Sequence, residues 1–307
     1  MSWERLPDLA IARSHPAVAV HHGRVYAIGG GGPGFASLDA VEIFDPETER
    51  WRAARPMPTK RSGAMAVTLG DRIAVIGGGF KKPDGKFRFL PTVEFYEPAA
   101  DRWSSGPDML RPHDYPACAL LDGRVYIATG HHPDATEGGP QTDPGFSFAQ
   151  RWRPGEAAWE ELPSVPTPRF AAAAVVLGGG VAVAGGVAFT PTGFMEFDRV
   201  EAFDPAGRQW ARAGWSLPWT AAAHGLAVLG RRLLVCGGFS GDEGIAAAAA
   251  ICDLDSRDQP EPWRTLPSLP EPRAAMGTAV IGGRLILVGG WAADRSVLSS
   301  VRAWRDE

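Results

Sequence analysis

The sequence predicts an all-β fold in which six four-stranded blades form one β-propeller, and three observations carry this prediction. A short apolar segment ending in small residues recurs six times, a tryptophan follows most copies, and helical periodicity is nearly absent. The 38 glycines and 27 prolines beside these runs indicate many short strands separated by turns. Because 307 residues exceed what one core usually organises, residues 1–307 are interpreted as one repetitive domain.

The repeat is defined by six segments that align without gaps. They run from Arg24 to Gly30, Arg72 to Gly78, Arg124 to Gly130, Gly180 to Gly186, Arg232 to Gly238 and Arg284 to Gly290. The first residue of each terminal pair stands at positions 29, 77, 129, 185, 237 and 289, so the intervals are 48, 52, 56, 52 and 52 residues. A period near 50 residues is typical of propeller blades.

Each unit continues into another strand and a tryptophan. The clearest copies run from Val41 to Pro46 before Trp51, from Val93 to Pro98 before Trp103, and from Val200 to Pro205 before Trp210, with weaker copies ending at Trp159 and Trp263. The sixth copy ends at Trp304 without its outer strand. The segment from Trp3 to Pro7 supplies the missing strand, so we expect the ring to close by pairing the two ends of the chain.

The Gly-Gly and Trp marks, repeated in register, resemble the kelch-repeat family over essentially the whole chain. Thr129 departs from the pattern in blade three, and the Glu-x-Phe-Asp-Pro mark is absent from blades five and six. A propeller tolerates such departures because its stability is spread over many blade interfaces. In blade number and in lacking other domains, the chain resembles freestanding bacterial kelch proteins such as the N-acetylneuraminate epimerase type, which implies a class of activity only.

Charge and composition argue against several kinds of partner. The net charge is -4 and the basic residues are spread along the chain, so neither nucleic acid nor an anionic membrane is expected to bind. The longest apolar stretch, Ala246 to Ile251, is too short to cross a bilayer. Three cysteines and no apparent signal peptide favour the cytoplasm, and the preference for arginine over lysine indicates a bacterial source.

Residues that recur in most blades are interpreted as scaffold, and those specific to one blade are the candidates for function. Eleven residues before each aligned segment stand Arg13, Arg61, His113, Arg169, Ala221 and Arg273. This register predicts a ring of cations at the mouth of the central channel, which would bind an anionic small molecule. The alternative is that the recurring arginines bind loop carbonyls and join the blades.

Blade three departs most from the repeat and supplies the first catalytic candidates. His113 replaces the arginine, and Asp114 and Tyr115 follow it without equivalents elsewhere. We expect His113 to act as general base and Tyr115 as acid or oxyanion donor. The long loop after Gly130 adds further ionisable groups, which are His131, His132, Asp134, Glu137 and Asp143. Such a loop can supply acid-base chemistry or a metal site, and the alternative is a solvated loop without a functional role. Adjacent His131 and His132 point apart in extended chain, so no metal is predicted.

Further candidates come from the other blades. His15, His224 and Glu196 are the second set of possible catalytic residues, with bonding to neighbouring loops as the alternative for the histidines. The predicted top loops are also rich in aromatic residues, among which Trp219, Trp291 and Phe194 are expected to line a partly apolar pocket.

Two functions from different classes follow. The first is a cofactor-independent enzyme, such as an isomerase, epimerase, cyclase or lyase, that acts on a small molecule in the top-face pocket. The alternative is a protein-interaction module that recognises a peptide or protein on a basic top face. A copper radical oxidase like galactose oxidase is excluded, because only Tyr115 of the four tyrosines is well placed for such a site.

Overall fold

A computed structural model describes residues 2–135, 143–191, 193–240, 244–257, 259 and 262–305. Within these ranges, the strands form six four-stranded antiparallel sheets. Each sheet is one blade, and neighbouring inner strands contact one another around the ring. The predicted six-bladed propeller is therefore confirmed.

The first three blades follow one another along the chain after an initial strand, β1 (Trp3–Leu6). Blade one contains β2 (Ala17–His21), β3 (Arg24–Ile28), β4 (Val41–Asp45) and β5 (Arg50–Ala54), with a 3-10 turn at Pro33–Phe35. Blade two contains β6 (Met65–Leu69), β7 (Arg72–Ile76), β10 (Val93–Glu97) and β11 (Arg102–Ser105), and a hairpin of β8 (Gly79–Lys81) and β9 (Phe87–Phe89) extends from it. Blade three contains β12 (Ala117–Leu121), β13 (Arg124–Ala128), β14 (Ala149–Trp152) and β15 (Glu160–Leu162).

The remaining blades repeat this order. Blade four contains β16 (Ala173–Leu177), β17 (Gly180–Ala184), β20 (Arg199–Asp204) and β21 (Gln209–Ser216), with a hairpin of β18 (Val187–Thr190) and β19 (Gly193–Glu196). Blade five contains β22 (Gly225–Leu229), β23 (Arg232–Cys236), β26 (Ala249–Asp253) and β27 (Arg264–Thr265), with a hairpin of β24 (Phe239–Ser240) and β25 (Gly244–Ile245). Blade six contains β28 (Gly277–Ile281), β29 (Arg284–Val288) and β30 (Val301–Arg305).

The ring closes because β1 completes blade six as its outer strand. It pairs antiparallel with β30, from Trp3 opposite Trp304 to Leu6 opposite Val301. The Trp3 and Trp304 rings lie 5.2 Å apart, and the Trp3 indole donates to the carbonyl of Pro267 at 2.9 Å. Closure through the first strand is thus confirmed.

The core lies between the blades, where the two faces of each sheet meet their neighbours. The middle strands are almost fully buried, as in β23 and β29, because both of their faces are covered. The three cysteines are free thiols; Cys236 and Cys252 are buried and Cys118 is half-buried. Across the described ranges, no helix is long and apolar enough to span a membrane.

Candidate functional site

The four recurring arginines are inside the blades rather than at the channel mouth, which corrects the expected placement. All four are at most 1% exposed: Arg13, Arg61, Arg169 and Arg273. In blade one, Arg13 donates to the carbonyls of Gly29 (3.0 Å) and Ala40 (2.9 Å) and pairs with Glu42. Arg61 and Arg169 pair with Glu94 and Glu201 at the matching strand position, whereas Arg273 pairs with Glu271 of its own segment. These guanidinium groups hold the strand ends together, so the anionic ligand inferred from them has no support from their position.

His113 occupies the arginine's place in blade three and is also fully buried. Its Nδ1 lies 2.6 Å from the carbonyl oxygen of Thr129, the counterpart of the arginine bond to Gly29. Where blades one, two and four have the paired glutamate, blade three has Gln150, which binds the backbone of Leu110 and Arg111. Burial lowers the pKa of His113 to about 4, so the imidazole is neutral in the blade where a neutral amide replaces the glutamate. This geometry favours the scaffold alternative for His113.

Blade three has His113 and Gln150 where blade one has Arg13 and Glu42, and this difference gives a stability prediction. We expect His113→Arg alone to lower the free energy of unfolding by about 3 kcal/mol, because it buries a charge without a partner. Adding Gln150→Glu restores the pair found in blade one and should recover most of that loss. Urea denaturation of the two single variants and the double variant measures the coupling. Equal stability of His113→Arg and the wild type would contradict this account.

Two residues beyond each arginine position, the backbones of all six blades form a closed hydrogen-bonded ring. Each residue donates its amide to the carbonyl of the one before it, over distances of 2.6 to 3.3 Å, and each has φ between +48° and +66°. The members are His15, Gly63, Tyr115, Ala171, Ala223 and Ala275. Five of the six are not glycine, so the left-handed backbone is a feature of the whole ring and not of one blade. His15 and Tyr115 differ from the other four in carrying large polar rings, which reach the lining of the cavity above.

Above this ring lies a cavity of about 650 Å³ on the top face, where the loops after each second strand and the connections between blades meet. Its walls are mainly aromatic: Phe35, Phe87, Phe89, Phe170, Phe189, Phe194, Phe239 and Trp291. Below the ring, the central channel has a volume of about 260 Å³ and is lined mainly by small and apolar residues, with His224 among them. The upper cavity has the size and the lining of a small-molecule site.

The most organised polar group in the cavity is a pair formed by His131 and Asp143. A carboxylate oxygen of Asp143 is hydrogen-bonded to Nδ1 of His131, and its other oxygen accepts the amides of His132 (3.1 Å) and Gly145 (3.0 Å). Burial acts against ionisation of Asp143, but these hydrogen bonds outweigh it and lower its pKa. Because an ionised carboxylate only accepts, the Nδ1 proton belongs to His131, which leaves Nε2 as the proton acceptor of the neutral ring.

Asp114 stands on the far side of His131. Its Oδ2 lies 4.0 Å from Nε2 of His131, which is too long for a hydrogen bond, and its Oδ1 has no hydrogen-bond partner among the described residues. The residue is 3% exposed, and burial together with the charge of Asp143 raises the pKa of its carboxyl group to about 7, although His131 acts in the opposite direction. Asp114 can therefore gain or lose a proton near neutral pH.

Aromatic contacts fix the imidazole of His131. It stacks on Phe170 with ring centroids 4.0 Å apart and on Phe89 at 5.7 Å, so loops of blades two and four hold a residue of blade three. Tyr115 packs edge-on against both His131 (5.3 Å) and His15 (4.0 Å). Burial raises the pKa of Tyr115 well above its usual value and holds that of His15 well below, so both are neutral at pH 7.

Gly63 explains how Asp114 and Tyr115 fit together. A methyl group at this ring position would collide with a carboxylate oxygen of Asp114 and, at 2.8 Å, with the ring of Tyr115. The corresponding residues of blades four to six are alanines, so the ring itself accepts a side chain there. Glycine is needed in blade two because the neighbouring site fills that space.

The other predicted residues divide between the cavity and its surroundings. Phe194 and Trp291 line the cavity as expected, together with Asp114, Tyr115 and His15. His224 lies in the channel below the ring, where burial lowers its pKa to about 4. Glu196 is on the blade-four hairpin near the hydroxyls of Thr220 and Ser240 (3.4 Å each) and is not part of the lining. Trp219 packs against the core between blades four and five and is not among the lining residues of the cavity.

The long loop of blade three is described only in part. Glu137 lies outside the described residues, whereas His132 and Asp134 flank the cavity without lining it. In the part of the chain that the structure describes, no group of three or more histidine, cysteine or acidic side chains is arranged to hold a metal ion.

Comparison with known proteins agrees with this architecture. Residues 12–58 match the kelch motif family, and residues 46–283 match a family described as a protein of unknown function, DUF1668. A solved structure titled "Structure of YjhT" superposes with a TM-score of 0.81 at 18% identity and covers 98% of this chain and 97% of that one, which shows a shared fold.

Curated relatives match over part of their length. Mouse Kelch-like protein 35 is 31% identical over 53% of this chain and 25% of its own length. Bovine Kelch-like protein 36 is 26% identical over 91% of this chain and 44% of its own, and alpha-scruin of Limulus polyphemus is 27% identical over 61% and 20%. The chain thus spans less than half the length of these relatives. With the repeat, the fold and the family match together, the chain belongs to the DUF1668 family and is a six-bladed kelch-repeat β-propeller.

Proposed function

We propose that this protein is a small-molecule enzyme that works without a cofactor by acid-base chemistry in the top-face cavity. The observation that carries the proposal is the line of Asp143, His131 and Asp114, in which one buried carboxylate orients the imidazole and the other faces it across 4.0 Å. The reaction class is that expected from the sequence, an isomerisation, epimerisation, cyclisation or elimination. The catalytic histidine is His131 rather than His113.

The roles follow from the protonation states. Asp143 retains the Nδ1 proton on His131, so Nε2 is free to remove a proton from the ligand. The imidazolium that forms returns the proton to the ligand, and Asp114, whose Oδ2 lies 4.0 Å from Nε2, binds the same part of the ligand. Tyr115 remains a phenol and can donate a hydrogen bond to an oxygen that gains charge. The aromatic walls limit water, which strengthens each of these interactions.

The test is a search for solvent hydrogen exchange, which does not need the substrate in advance. Metabolite extract is incubated with the protein in D₂O and analysed by mass spectrometry for compounds that gain deuterium or are converted. We expect at least one such compound with the wild type and a rate at least ~100-fold lower with His131→Gln. His132→Gln is the matched control, since its side chain does not line the cavity, and it should keep the rate. Equal rates for His131→Gln and the wild type would contradict the proposal.

A second candidate is the recognition of a protein or peptide on the same face. It is favoured by exposed apolar side chains on the rim, Phe35 (58%), Phe194 (55%) and Met195 (49%), since such groups on a surface often mark an interface. In that case Phe194→Ser weakens binding and His131→Gln does not. A cytoplasmic location also remains part of the proposal.

A further inference from the structure

The charges of the cavity are arranged by depth. Among its described lining residues, the two acids, Asp114 and Asp143, are 3% and 2% exposed, whereas the two bases, Lys86 and Arg295, are exposed at the rim. The remaining ionisable groups of the floor are His15, Tyr115 and His131, and none of them carries a permanent positive charge. An apolar cavity therefore has a negative floor and a positive entrance.

The floor of the cavity also contains a carboxylate whose oxygens lack hydrogen-bond donors. Asp143 is saturated by His131 and two backbone amides. Oδ1 of Asp114 is buried against Gly63 without a hydrogen-bond partner among the described residues, which leaves Oδ2, 4.0 Å from Nε2 of His131, to meet a ligand. A buried carboxylate without donors is costly, so a ligand that supplies them gains affinity. The ionised form of Asp114 calls for a donor that also carries positive charge.

An ammonium group satisfies both conditions. It offers up to three N–H donors and one positive charge, and the aromatic rings around the floor attract cations through their π faces. A carboxylate ligand in the same place would meet two buried acids, and the bases that could bind it are at the entrance. We infer that the cavity binds an amine with an apolar body, inserted with its ammonium group against Asp114. The inference rests on the proposed function and specifies its substrate class.

The orientation has a further consequence for the ligand. With the ammonium at the floor, the opposite end of the molecule lies near Lys86 and Arg295. These rim bases repel a second cation and accept an acidic or uncharged group. His131 Nε2, which faces Asp114, is then placed beside the ammonium nitrogen and the carbon that carries it.

The test uses three probes that share a phenylethyl body: phenethylamine, phenethyl alcohol and 3-phenylpropionate. Affinities are measured by titration calorimetry at pH 8, where Asp114 is mostly ionised because its raised pKa is about 7. We expect phenethylamine to bind at least about tenfold more tightly than the other two, as for a charge-assisted hydrogen bond in a buried site. Asp114→Asn should remove this preference. Asp134→Asn, which alters a carboxylate with 92% side-chain exposure in the same segment, should leave it unchanged.

Three results would overturn the amine class: tightest binding of 3-phenylpropionate, an amine preference that survives Asp114→Asn, or no binding of phenethylamine at millimolar concentration. The proposed function is judged separately by the dependence of deuterium exchange on His131. If the exchange depends on His131 and the amine preference is absent, the acid-base site stands and the ligand class is wrong. If the exchange is independent of His131, the proposed function fails whichever probe binds.

Discussion

Asp143→Asn is expected to reduce turnover by roughly 10²- to 10⁴-fold while the protein stays folded and binds its ligand. An asparagine can still accept the amides of His132 and Gly145 through its oxygen. Its NH₂ group must then face Nδ1 of His131, and a donor in that place forces the imidazole proton onto Nε2. The variant therefore loses the free Nε2 that acts as the base, while the shape of the site stays the same.

The measurement for Asp143→Asn is the rate of solvent exchange at saturating ligand, together with the ligand affinity. A fall in the maximal rate with an affinity within a few-fold of the wild type identifies loss of the base rather than loss of binding. Asp134→Asn provides the control on the same loop. If Asp143→Asn retains half of the wild-type rate, Asp143 does not orient a catalytic histidine.

Removal of residues 1–7 is expected to lower the free energy of unfolding by more than ~3 kcal/mol, in the range of the loss of one large buried side chain. The deletion exposes Trp304, which is fully buried, and leaves an unpaired edge on β30. It also removes Leu6, which is 3% exposed within the core between blades six and one. Urea denaturation measures the change, and a truncated protein as stable as the wild type would contradict closure through β1.

A point variant covers the case in which the truncated protein does not fold. Leu6→Ala should cost about 2 to 5 kcal/mol, because it empties a buried position next to Val25 and Val301. Arg5→Ala, on the same strand with 67% side-chain exposure, should cost less than 1 kcal/mol. Equal effects of the two variants would mean that β1 does not pack against the blade.

The fold could be predicted because the repeat encodes it six times over. Each blade has apolar faces that only neighbouring blades can bury, so strand positions, the tryptophans and the ring closure all follow from the period. One element was placed correctly in sequence but not in space. The repeat spacing places Arg13 and its equivalents in the correct segment between two blades. It does not predict that their side chains point into the blade, because that direction depends on the paired glutamates.

That pairing left a signal in the sequence. Glu42, Glu94 and Glu201 occupy one aligned position, and blade three has Gln150 there, in the blade where His113 replaces arginine. A buried charge needs a partner of opposite sign, so the joint loss of both charges in blade three is consistent with a neutral scaffold residue at position 113. Considering the two positions together favours the scaffold alternative for His113.

The pair of His131 and Asp143 was much harder to find. The sequence indicates only that blade three has a long polar loop, and the two residues meet because that loop folds back and because Phe89 and Phe170 arrive from other blades. Contacts between loops of different blades leave no periodic pattern. The left-handed ring positions of His15 and Tyr115 are equally invisible without the backbone dihedral angles.

The tautomer of His131 is the most direct test of the acid-base site, since it can be measured without a substrate. Long-range ¹H–¹⁵N NMR of the imidazole groups, assigned with His131→Gln, distinguishes the protonated nitrogen from the free one in the neutral ring. The geometry predicts a proton on Nδ1, bound to Asp143, and a free Nε2 facing Asp114. In Asp143→Asn the two nitrogens should exchange roles. A wild-type His131 with its proton on Nε2 would contradict the account, because no base would then be directed toward a ligand in the cavity.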